Sequence, residues 1–264
     1  MAVRSNDLWL IPFGALILIA WAIMLSSGSV SDLAAFCSAE TWRRLPLSAW
    51  LDLALISHSL ASLALGWALM VVAMMLPLAI APLWHVRERS FARRRTRSTL
   101  LFVAGFIAVW MMAGPVLAIV AWLMRWAAPT SFAIPLAVAT ALVWQVSPAK
   151  QWCLNRCHQR PPLAAFGLDA DLDAISFGAS HGAACAGTCW ALMLPILLTT
   201  EGEGLAMAAV TLFVLAERLE RPAPLAWRWR GGGKALRILA AWWPAMIHKP
   251  DASRYLTLPM KSRI

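Results

Sequence analysis

Residues Ile175 to Leu198 read ISFGASHGAACAGTCWALMLPILL, twenty-four positions without a charged side chain. A helix that crosses a bilayer needs about 20 mostly apolar residues, so this stretch predicts a transmembrane span. Four further apolar runs precede it: Leu8–Leu25, Leu53–Leu83, Leu100–Met124 and Phe132–Val146. One follows, Gly204–Ala216. Ala235–Ile247 is a short seventh apolar segment, as well suited to the interface as to a crossing. The expected fold is all-α: a polytopic transmembrane helical bundle of six spans plus the short segment, with residues 1–264 forming a single integral membrane domain. The run after Arg4 exceeds the usual signal-peptide core, so the first span is expected to be retained.

Composition agrees. Of 264 residues, 61% are apolar and 14% charged, against roughly 25% charged in an ordinary soluble domain. The net charge of +10 would suggest nucleic acid in a soluble protein. Here the bases sit between apolar runs. Arg4, the Arg87–Arg97 loop, Lys150, Arg156, Arg160 and the Arg218–Lys234 loop put fifteen bases on one side. Only Arg43, Arg44 and Arg125 fall on the other. By the positive-inside rule the N-terminus is cytoplasmic, and the basic loops meet membrane lipid and not nucleic acid.

The quoted stretch also carries chemistry. His181, Cys185, Cys189 and Met193 recur every four residues, so an imidazole, two thiols and a thioether share one helical stripe. A second pair, Cys153 and Cys157, has the same spacing at the end of the fourth span. In the second span Met70 and Met74 share a face, Met75 follows, and Pro77 deprives the Ala73 carbonyl of its helical donor. Soft sulfur ligands select Cu(I) or Zn(II) over Mg or Ca. With the basic loops inside, all three motifs fall toward the cytoplasmic side, where thiols stay reduced. The candidate metal ligands are Cys153, Cys157, Cys185, Cys189, His181, Met74, Met75, Met70 and Met193. The competing reading is packing: Cys, Gly and Met are common at membrane helix contacts, and Gly178 and Gly182 mark such a seam. His158, beside Cys157, suits a ligand or a headgroup contact equally. His58, His85, His248 and Cys37 have no partner pattern.

Other signatures are weak or missing. Gly231-Gly232-Gly233-Lys234 lacks phosphate-loop spacing. Asp169, Asp171 and Asp173 lack the glycine and glutamate of a calcium loop and read as a solvated helix start. No hydrolase or phosphoryl-transfer motif is present, and no catalytic residue is expected. Glu217 is expected at a solvated helix end, paired with Arg221.

Three segments together carry a resemblance: Ala73-Met74-Met75-Leu76-Pro77, Lys150-x-x-Cys153-Leu154-x-x-Cys157, and Cys185-x-Gly187-x-Cys189-Trp190-x-Leu192-Met193. In this order they resemble the signatures of a bacterial family of predicted metal-binding integral membrane proteins. The resemblance runs from the second span through the sixth. It implies a multi-span protein of the bacterial inner (cytoplasmic) membrane with a metal site on Cys153, Cys157, Cys185 and Cys189. Thr188 and His158 depart from the pattern, standing where a Cys and an Arg are expected.

The expected function is binding of a soft metal, copper first and zinc second, with its transport or delivery. Met70, Met74 and Met75 would form a thioether relay, the four cysteines the stronger site, and His181 an alternative donor. A metallochaperone or a membrane-complex partner is implied. The alternatives are a non-catalytic assembly subunit of a larger membrane complex and a thiol–disulfide oxidoreductase. The cytoplasmic placement and the lack of C-x-x-C spacing count against the latter.

Overall fold

The computed structural model describes residues 9–27, 48, 60–128, 130–199, 202–229, 233–238 and 240. Its helices are α1 (Leu10–Ser27), α2 (Leu60–Met74), α3 (Ile80–Arg89), α4 (Arg95–Ala127), α5 (Thr130–Val146), α6 (Pro148–Cys157), α7 (Gly167–Leu198) and α8 (Glu203–Arg218), with a 3-10 turn at Leu76–Ala79 between α2 and α3. No strand occurs among the described residues.

Six spans are not supported. Two helices, α4 and α7, are each long and apolar enough to cross a membrane. Two bent pairs bring the number to four if each counts as one crossing: Leu63–Met74 with Leu76–Arg89, bent by 50°, and Ser131–Val146 with Pro148–Cys157, bent by 66°. The apolar part of α1, Leu10–Ser26, falls short. So does the sixth expected span: α8 has 16 residues and reaches about 24 Å at 1.5 Å per residue, against a hydrocarbon core of about 30 Å. Residues 53–59 of the second expected span lie outside the described residues, as do most of Ala235–Ile247, Arg4, Arg43, Arg44, Cys37, His58 and His248.

Proline chemistry explains both bends. Pro77 cannot donate a backbone hydrogen bond, so α2 stops at Met74 and the chain continues as 3-10 turn. The Ala73 carbonyl does not stay free: the Trp21 indole N–H donates to it at 3.0 Å. Ser147 stops α5 and caps α6, its hydroxyl accepting from the Lys150 N–H, and Pro148 occupies the first turn where no donor is needed. The carbonyl of Trp144 takes the Ser147 N–H at 3.0 Å and its hydroxyl at 2.8 Å.

α4 and α7 form the spine. A Cβ at Gly105 would overlap the Ile175 carbonyl, and one at Gly178 would overlap the Phe102 carbonyl. Glycines on both helices thus let the backbones meet directly, the small-residue packing that membrane helices favour. This confirms the seam read at Gly178 and Gly182, and it leaves the cysteine face one turn further on. The Trp67 indole fills the space left by Gly114 and donates to the Trp110 carbonyl at 2.7 Å, which ties α2 to α4. At the basic end Arg94 and Arg97 both pair with Asp171 at 2.6 Å, and Asp173 accepts from the Ala164 N–H. Asp171 and Asp173 therefore anchor the start of α7.

Lys150 and Glu217 depart from expectation. Neither sits in a solvated loop. Lys150 is fully buried, Glu217 nearly so, and Nζ lies 2.8 Å from Oε2. Gln145 hydrogen-bonds to both, so the partner of Glu217 is Lys150 and not Arg221. A charge is tolerated in an apolar interior only when paired and hydrogen-bonded. This triad locks α8 against the junction of α5 and α6, one residue before Arg218.

Candidate metal centre

Cys185 and Cys189 are fully buried on the face of α7 turned toward the end of α2. The Cys189 thiol donates to the Cys185 carbonyl at 3.1 Å, and its sulfur lies 3.8 Å from the Met75 sulfur. Cys185 lies one turn before Cys189 in the same helix. Met75 holds this position because the helix breaks one residue before it. The N-cap of the 3-10 turn puts its side chain toward α7.

The second cysteine pair arrives from the other side. Cys153 packs on Gly187, so closely that a Cβ there would collide with its sulfur. Gly187 also offers its carbonyl to the Trp144 indole N–H at 2.9 Å. Cys157 lies within electrostatic range of Cys185 and Cys153. The three separated sulfur motifs therefore meet around one turn of α7. All four of these cysteines are free thiols. Among the described residues no three His, Cys, Asp or Glu side chains gather into a metal-holding group. Thioethers fall outside that set, and the thiol–thioether contact at Met75 brings together soft donors from two separate segments.

The remaining sequence-derived candidates divide. Met70, Met74 and Met193 are fully or almost fully buried in the same apolar cluster as Met75. His181 is one turn from Cys185, with Phe102, Phe106 and Phe177 rings at 6.1, 6.1 and 6.2 Å. Neither of its ring nitrogens has a hydrogen-bond partner. It lines a cavity of about 350 Å³ with Arg156, Gln159, Arg160 and Ser180. Burial, with Arg218 adding to it, holds the Arg160 guanidinium below its ordinary value. His158 is turned toward backbone: Nδ1 faces the Leu154 carbonyl at 2.9 Å and Nε2 the Arg218 carbonyl at 3.2 Å. His85 likewise meets the Pro161 carbonyl.

Two residues around the thiols escaped the sequence reading. Arg218, counted there as a topology signal, lies within electrostatic range of Cys185, Cys157 and Cys189. Trp110 brings its indole N–H beside Cys185. Only the position of Arg218, one residue after the single acid singled out in α8, hinted at it.

A family model described as PpoB2, copper chaperone, matches residues 64–242, about two thirds of the chain. The chain belongs to that copper chaperone family. The matched region runs from α2 to beyond α8, so it holds all nine candidate metal ligands and leaves out α1. The family is copper-related, and its copper matches the donor set: thiols and a thioether in an apolar interior suit a soft ion. No curated protein and no solved structure matches the chain.

Proposed function

We propose that this protein is an integral membrane copper chaperone that takes Cu(I) on Cys185, Cys189 and Met75 and passes it to a partner. The observation that carries the reading is the 3.8 Å meeting of the Cys189 and Met75 sulfurs inside a region matched by a copper chaperone family. Two thiolates and a thioether offer a soft, low-coordinate site. Such a site selects Cu(I) by softness and lacks the four-ligand closure of a structural zinc centre. Cys157 and Cys153, next along the α6 side, serve as the second station, and the thioethers of Met70, Met74 and Met193 line the approach. His181 admits the ion from the basic cavity.

In this reading α4, α7 and the two bent pairs cross the bacterial cytoplasmic membrane with the basic end inside. The acceptor is a soluble or membrane-bound apo-metalloprotein. Delivery requires binding that selects without trapping, which a graded set of Met, His and Cys meets. The test is metal content. Protein purified anaerobically and loaded with Cu(I) is compared with a Cys185→Ser/Cys189→Ser double variant. Near-stoichiometric copper lost in the variant supports the reading. Absence of bound copper in both after loading overturns it.

A further inference from the structure

We infer that the cavity between the end of α6 and α7 is a receiving site for an anionic carrier of Cu(I), a complex of the ion with small thiols that also bear carboxylates. The inference rests on the copper site proposed above.

The cavity has a volume of about 350 Å³, within the range of about 300–1,000 Å³ usual for small-molecule sites. Its polar lining is Arg156, Gln159, Arg160, Ser180 and His181. Arg156 lies over the Trp152 ring at 4.7 Å. Arg160 donates from Nη1 to the Gln159 carbonyl at 3.1 Å and to the Cys157 carbonyl at 3.5 Å, so this wall continues directly from the second cysteine pair. Among the described residues the ion pairs are those of Arg94 and Arg97 with Asp171 and of Lys150 with Glu217. Neither arginine of the cavity has a carboxylate partner there. Two guanidiniums in one cleft repel a free metal cation and attract an anion. Their planar forks match carboxylates.

Of the polar lining His181 alone is buried, at 2% exposure. Both of its ring nitrogens lack a hydrogen-bond partner, and a buried polar group left so is unfavourable. A neutral imidazole has one lone pair and one N–H. The lone pair suits a soft metal and the N–H suits an anion, and an anionic copper complex offers both. Cys185 follows four residues later, about 6 Å along the helix axis, and is fully buried. Exposed guanidiniums, a buried imidazole and buried thiols thus succeed one another inward. The transfer is a ligand exchange without change of oxidation state. Cu(I) leaves two carrier thiolates, is held in passing by His181, and bonds to the Cys185 and Cys189 sulfurs. The two protons of those thiols go to the departing carrier thiolates, so charge and protons balance.

The test is anaerobic stopped-flow loading of the full chain in neutral, lipid-free detergent, which keeps anionic headgroups out of the comparison. Two donors are used: Cu(I) bound by glutathione, a net anion with carboxylates, and Cu(I) bound by cysteamine, a net cation with the same thiolate chemistry. Arg156→Gln/Arg160→Gln should slow loading from the glutathione complex by about 10- to 100-fold, within the range that charge steering into a cleft commands. Loading from the cysteamine complex should not slow. Arg156→Lys/Arg160→Lys should recover most of the glutathione rate. Equal slowing with both donors overturns the inference, and so does an unchanged glutathione rate in the glutamine variant. If the double variant does not fold, the two single glutamine variants decide the matter, each expected to show part of the slowing. If the wild-type protein takes Cu(I) from neither donor and holds none at equilibrium, the copper site itself fails. If it loads from both and the arginines make no difference, only the carrier site does.

Discussion

The sulfur of Cys189 lies 3.8 Å from that of Met75, across two helices that are 114 residues apart in the chain at this point. The contact exists because Pro77 ends α2 just where α7 presents its cysteine face. Met75→Leu keeps the volume and the apolar character, a change that costs under about 1.5 kcal/mol in a core. The protein should stay folded while Cu(I) affinity falls about tenfold, the scale of one modest interaction. Chelator competition on the variant measures this. An unaltered affinity would remove Met75 from the site.

Gly187 and Gly178 should be intolerant of a methyl group for different reasons. At Gly187 the new Cβ meets the Cys153 sulfur, and at Gly178 it meets the Phe102 backbone. Overpacking costs about 1–3 kcal/mol where side chains can shift, so Gly187→Ala should lie within that range and Gly178→Ala above it. Gly14→Ala in α1, where nothing lies within 4 Å, should be neutral or stabilise by up to about 1 kcal/mol through helix propensity. Reversible unfolding in mixed detergent micelles ranks the three.

The Lys150–Glu217 pair predicts a non-additive pattern. Glu217→Gln leaves the buried ammonium without its carboxylate and should destabilise by about 3–5 kcal/mol. Replacing both, as Lys150→Met with Glu217→Leu, should recover much of that loss. Unfolding midpoints of the single and double variants check it, and a double variant as unstable as the sum of the singles would contradict the account.

His181 and His158 should separate cleanly. His158→Ala removes two backbone contacts at the end of α6 and should lower stability while leaving copper stoichiometry intact. His181→Ala should slow copper loading with little change in equilibrium affinity, because the ring lines the basic cavity and not the thiol contact. Stopped-flow loading from a Cu(I) chelate resolves the two.

What the sequence made legible follows from local chemistry. The four-residue spacing of His181, Cys185, Cys189 and Met193 is a property of one helix, and α7 carries it as expected. The loss of the Ala73 carbonyl's helical donor at Pro77 was likewise readable, since a missing N–H acts within one turn. The partners of the freed carbonyls were not: Trp21 reaches Ala73 from another helix, a relation no spacing encodes. Span number failed for the same reason. A run of apolar residues fixes composition, but whether α2 and α3 form one crossing depends on the bend between them. The gravest misreading was Lys150 and Glu217. Each sits near an apolar boundary where solvent is the default neighbour, and only the fold shows them neutralising one another.

The most direct test of the account is copper X-ray absorption on the anaerobic, Cu(I)-loaded protein. It should show a low-coordinate copper ion with sulfur neighbours only, and the sulfur count should drop by one in Met75→Leu. A first shell dominated by nitrogen or oxygen, or one that Met75→Leu leaves unchanged, would contradict a centre built from Cys185, Cys189 and Met75.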